Sequence, residues 1–253
     1  MSRLALITAA TVGTLALTGA VWSRTPERDA VCVGTLTPAY LEPAALKALV
    51  DEAPAPMLLI VNPANGPGPS ADPAYRRVIE RAQASGARVL GYVATTFGRR
   101  DSASVEADVA RYREWYAVDG IFLDEVAHDA LHLPYYVALR RAIGDTFVVL
   151  NPGMVPTRGY FALADVVVTY EGPFADYARR VALEPAWLRD LPPDKTAHLV
   201  YAATRDEASS LFAAPPRAGS LYVTSGSLPN PWGAPPPYLR EEQAARSSAC
   251  SAP

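Results

Sequence analysis

Eight short apolar runs, most of them followed by a stretch with helical spacing, divide this chain almost evenly, and few folds accept that alternation. The runs are Val31–Thr35, Met57–Val61, Arg88–Val93, Gly120–Leu123, Thr146–Leu150, Val166–Thr169, Ala197–Tyr201 and Ser220–Thr224. Helices are expected over 43–51, 72–85, 102–116, 133–143, 157–163, 177–183 and 205–213. Asp72 caps the second of them, with Pro73 at its first position. Continuous apolar strands belong to parallel sheets covered on both faces. The expected class is therefore α/β, a single (β/α)8 TIM-type barrel. A doubly wound open sheet would usually carry a glycine-rich phosphate loop after its first strand, and this chain has none.

Half of the 253 residues are hydrophobic and 19% are charged, which suits a large core and argues against disorder. The net charge is −3 with no basic stripe, so no nucleic-acid partner is expected. Two cysteines and three scattered histidines (His128, His132, His198) form no zinc pattern, and neither a metal nor a cofactor is expected.

Arg3, the uncharged stretch 4–22 and Thr18-Gly19-Ala20 predict a signal peptide over residues 1–20. A retained N-terminal anchor is the alternative, and only then is a membrane a partner. Cleavage removes Arg3 alone and leaves a charge of −4. Export implies a secreted or cell-surface protein, and in that setting Cys32 and Cys250 are expected to form one disulfide. The barrel is expected over 31–227, with a Pro-rich tail (228–253) crossing it, in a monomer.

In a barrel of this kind the C-terminal strand ends share one face. That face collects Asn62, Tyr92, Thr95, Asp124, Glu125, Asn151, Tyr170, Glu171 and Tyr201. Carboxylates and amides bond sugar hydroxyls, and aromatic faces stack on sugar C–H faces, so a polysaccharide is the expected partner. Glycosidic hydrolysis usually needs two carboxyl groups, and Asp124, Glu125 and Glu171 are the candidates. Alternation sends Asp124 and Glu125 in different directions unless the strand has ended. Asn62 and Asn151, each followed by proline, could instead shape turns. Arg99-Arg100 suits either an ion pair with the acidic site or a surface loop. Two further readings stay open: a carbohydrate-binding barrel without catalysis, and a metal-dependent hydrolase using Asp124 and Glu125 as ligands.

Several segments carry a resemblance, in order along the chain: Val61-Asn62-Pro63 with Gly66-Pro67-Gly68, Leu90 to Thr95, Val118-Asp119-Gly120-Ile121-Phe122-Leu123-Asp124-Glu125, Asn151-Pro152-Gly153 and Tyr170-Glu171. In these the chain resembles the spherulin-4, or spherulation-specific family 4, proteins over about residues 31–227. The resemblance implies a (β/α)8 barrel. It also implies an activity like that of glycoside hydrolase family 135, an endo-acting α-1,4-N-acetylgalactosaminidase on a galactosaminogalactan-type polymer. The three acids needed there fall on Asp124, Glu125 and Glu171. Two departures stand out: Phe97 where the family usually has Tyr, and Cys32-Val33-Gly34-Thr35 where a Pro-x-Tyr opening of strand one is expected.

Overall fold

The computed structural model describes residues 34–52, 57–242 and 244. The expected signal peptide (1–20), Cys32 and Cys250 lie outside them. Eight parallel strands run in sequence order: β1 (Thr35–Ala39), β2 (Met57–Val61), β3 (Arg88–Ala94), β4 (Gly120–Asp124), β5 (Phe147–Leu150), β6 (Val166–Pro173), β7 (Thr196–Tyr201) and β8 (Ser220–Val223). A parallel bridge between Gly34 and Ser220 joins the last strand to the first, giving a TIM-type barrel. Helices α1 (Pro43–Glu52), α2 (Pro73–Ala84), α3 (Ser102–Arg111), α4 (Leu133–Ile143), α5 (Phe174–Val181) and α6 (Arg205–Ala213) pack outside. Between β5 and β6 the chain makes only a 3-10 turn, Arg158–Ala162.

The helix starts follow local chemistry. Asp72 accepts from the Ala74 N–H ahead of Pro73. Asp101 caps α3 through Ser104. Thr204 and Glu207 form a reciprocal capping box on α6.

The strands alternate between interior and helix-facing side chains. Tyr92 and Phe122 stack inside the barrel, ring centres 6.3 Å apart. Gly91 faces out, where a Cβ would strike the Tyr112 ring at 2.5 Å. Gly120 faces in, where a Cβ would come within 2.7 Å of the Phe147 carbonyl oxygen.

Strand one corrects an expectation. The sequence points to Val31–Thr35, but the strand is Thr35–Ala39, and 31–33 lie outside the described residues. Pro38-Ala39-Tyr40, a Pro-x-Tyr sequence, therefore stands at the C-terminal end of strand one. Pro38 cannot donate to a ladder, and β1 tolerates it at the seam, where Gly34–Ser220 is the bridge described to β8.

Strand six holds a bulge. Val168 pairs with Ala197 and Tyr170 with His198, so Thr169 is an extra residue. His198 faces outward, bonded to Tyr177 of α5, which puts Val168 inside with Ala197. Strict alternation from Val168 would then send Tyr170 in and Glu171 out. The inserted residue reverses both.

Candidate active site

Asp124 ends β4 and points into the barrel mouth, while the chain turns at Glu125, whose φ is +48°. A left-handed conformation at a non-glycine residue costs energy and needs support. The β3 loop supplies it. The Phe97 N–H donates to the Glu125 carbonyl at 2.6 Å and the Thr95 N–H to the Asp124 carbonyl at 2.9 Å. The Thr95 hydroxyl lies 3.0 and 2.8 Å from those same two carbonyls, and 2.9 Å from the Tyr136 hydroxyl. Thr95 is thus fully buried beneath the cleft as a latch between loops.

Asn151 follows β5. Its backbone N–H donates to the Leu123 carbonyl at 2.8 Å, and its carbonyl accepts from Val126 at 3.0 Å. Its Oδ1 accepts from the Gly153 N–H at 3.0 Å, which fixes the amide with Nδ2 facing the cleft. That nitrogen donates to Asp124 Oδ1 at 2.7 Å and to Glu171 Oε2 at 2.5 Å. The bulge in β6 is what turns Glu171 toward it.

Around this bridge stand Tyr40, Tyr92, Tyr201 and Trp232. The Tyr92 hydroxyl hydrogen-bonds Asp124. Its ring meets Tyr40 edge-on at 5.4 Å. The Trp232 indole hydrogen-bonds Glu171, and its ring packs edge-on against Tyr201 at 6.1 Å. Trp232 arrives on the C-terminal segment. That segment is tied to the barrel by the Gly226 carbonyl, which accepts from Ala202, and by the Tyr238 hydroxyl, which donates to the Ala203 carbonyl.

Burial dominates the electrostatics. It raises the pKa of Asp124 despite hydrogen bonds from the Glu125 backbone, Tyr92 and Asn151, and the nearby Glu125 charge raises it further. Glu171 is pushed up to about 7, first by burial and then by the charge of Asp124, against the opposing bonds from Asn151 and Trp232. Tyr40 and Tyr92 are held neutral by burial and by the neighbouring carboxylates. This is an acid-lined mouth in which one carboxyl keeps its proton near neutrality.

Of the residues named from sequence, the cleft brings together Asp124, Glu125, Asn151, Glu171, Tyr92 and Tyr201. Asn62 accepts from the Gly66 N–H and shapes its turn. Tyr170 packs outside the barrel against Tyr177 and His198, its hydroxyl on the Pro173 carbonyl. Arg100 pairs with Asp108, not with the acidic site. Tyr40 and Trp232 were not singled out. Pro38-Ala39-Tyr40 was a readable signal for the first, and a lone tryptophan in a Pro/Gly-rich tail for the second. Among the described residues no group of three His, Cys, Asp or Glu is arranged to hold a metal ion, and no helix is long and apolar enough to cross a membrane.

Comparisons with known proteins identify the fold and the family. Spherulin-4 of Physarum polycephalum is 31% identical over 166 residues, which are 62% of this chain and 49% of that protein. The chain thus spans about half the length of that curated relative. The crystal structure of Aspergillus clavatus Sph3 in complex with GalNAc superposes with a TM-score of 0.73 at 25% identity, covering 85% of this chain and 97% of that one. An α-galactosidase from Thermus thermophilus shares the fold, with a TM-score of 0.53 at 14% identity over 87% of this chain and 62% of its own. The model of spherulation-specific family 4 matches residues 36–245. The chain belongs to spherulation-specific family 4.

Proposed function

We propose that the protein is an exported glycoside hydrolase acting on an amino-sugar polysaccharide of the N-acetylgalactosamine or galactosamine type. The observation that carries this reading is the Asn151 amide bridging two half-buried carboxyl groups, one of them with its pKa raised to about 7. A carboxyl that keeps its proton beside one that ionises is the pairing glycosidic cleavage needs. The likeness to Sph3, solved with GalNAc, supports the choice of sugar. An acidic cleft in a chain of net charge −3 would also attract a polymer bearing free amines.

In this mechanism the Glu171 carboxyl protonates the leaving glycosidic oxygen. Asp124, ionised, stabilises positive charge at the anomeric centre or orients the 2-acetamido group. Glu125 binds at the rim, and Tyr92 holds Asp124 in place. Incubation with α-linked galactosamine and N-acetylgalactosamine polymers tests the reading. New reducing ends support it, whereas binding without them would favour a carbohydrate-binding barrel.

A further inference from the structure

A second cavity, of about 690 Å³, lies on the barrel flank beside the outer face of β6. It exists because the β5–β6 connection is a 3-10 turn rather than a helix, which leaves Thr169 and Tyr170 without a helical cover. The loop Met154–Arg158 forms one side. The end of α5 and the turn reaching Trp187 form the other. The volume falls in the range of small-ligand pockets.

Its chemistry differs from that of the cleft. Trp187 is held edge-on by Phe161 at 5.4 Å, and the Arg158 guanidinium lies 5.5 Å from its ring. Arg158 and Arg180 both line the cavity, and neither makes an ion pair among the described residues. Of the two carboxylates of the lining, Asp129 has a charge partner, and Glu184 Oε1 is buried without a hydrogen bond among the described residues. Asp129 pairs with His132 at 3.0 Å, and the buried Glu184 Oε1 faces His198 at 3.3 Å. A guanidinium matches a carboxylate or phosphate in a fork, and an indole face stacks on a pyranose ring.

We propose that this flank cavity is a second saccharide site, taking a sugar unit that carries an anionic group. The cleft, with Asp124 and Glu125 in it, disfavours such a unit, whereas the two guanidinium groups of the flank cavity favour it. The site also adjoins the catalytic bridge. Met154 pairs with Tyr170 across an antiparallel bridge, and the neighbouring Gly153 carbonyl accepts from the Glu171 N–H at 3.1 Å.

The test is calorimetric titration of the full chain with a galacturonic acid trimer, glucose 6-phosphate and N-acetylgalactosamine. One or both acidic probes are expected to bind, and which of them does so identifies the anionic group. Binding should weaken by at least about tenfold in W187A and in the double variant R158Q/R180Q, and should weaken with added salt. The E171Q variant should bind as tightly as the wild type, so the result is independent of the glycosidase reading. Because Trp187 also packs on Phe161, R158Q/R180Q is the deciding variant, its melting temperature being checked first. No binding of either acidic probe, or binding lost in E171Q but kept in R158Q/R180Q, would overturn the proposal.

Discussion

Asp124 and Glu171 accept from one nitrogen, the Nδ2 of Asn151, at 2.7 and 2.5 Å. They come from different strands, Asp124 by regular alternation along β4 and Glu171 through a bulge in β6. At β4 the strand ends on Asp124, and Glu125 turns into a left-handed conformation. At β6 the extra residue Thr169 rotates Glu171 inward. The bridge therefore depends on backbone features that no side-chain pattern encodes directly.

Removing the bridge has a signed consequence. Both Asn151 bonds stabilise ionised carboxylates, so Asn151→Ala raises the pKa of Asp124 and Glu171 still further. The alkaline limb of activity should move to higher pH. Turnover should fall by about 100-fold because the pair is no longer held in register. A pH–rate profile of the variant checks both effects, with circular dichroism confirming the fold.

Glu171 also links stability to pH. Its folded pKa, about 7, lies above the ordinary glutamate value of 4.5. As pH rises between those values the unfolded chain releases the proton while the folded one retains it. Stability therefore falls with rising pH, by up to about 1.4 kcal/mol per pH unit from this group. Asp124 is raised too and acts in the same direction. Glu171→Gln should flatten that slope and melt higher than the wild type at pH 8, as read by denaturation at several pH values.

Trp232 tunes the same group. Its indole bond to Glu171 favours the ionised form. Trp232→Phe keeps a ring against Tyr201 and loses the donor. The alkaline limb should shift upward with a small change in KM, whereas Trp232→Ala should disturb both kcat and KM.

Gly120 is a packing requirement. A Cβ there would meet the Leu90 side chain at 2.6 Å and the Phe147 carbonyl oxygen at 2.7 Å. Gly120→Ala should cost about 1–3 kcal/mol, a drop of roughly 2–4 °C in Tm per kcal/mol for a chain of this size. Thermal melting measures it.

Much of this fold was legible because parallel strands covered on both faces leave plain apolar runs, as Met57–Val61 and Gly120–Leu123 do. Strand one was misplaced because Thr35-Leu36-Thr37-Pro38-Ala39 mixes hydroxyls and a proline, while Val31-Cys32-Val33 is uniformly apolar. That shift hid Tyr40 from the reading of the cleft. The three acids were legible as strand-end carboxylates. The side on which Tyr170 and Glu171 lie was not, because a bulge adds one residue without changing composition. Trp232 had only a compositional cue, a tryptophan in a Pro/Gly-rich tail, because strand periodicity says nothing about where a loop segment returns.

The most direct test is release of reducing ends from an α-linked galactosamine polymer by the wild type, D124N, E125Q and E171Q at equal loading. Cleavage by the wild type, with losses of at least about 100-fold in D124N and E171Q and folded protein throughout, is the expected result. Wild-type protein that cleaves no such polymer, or a D124N and E171Q pair that cleaves at near wild-type rates, would contradict it.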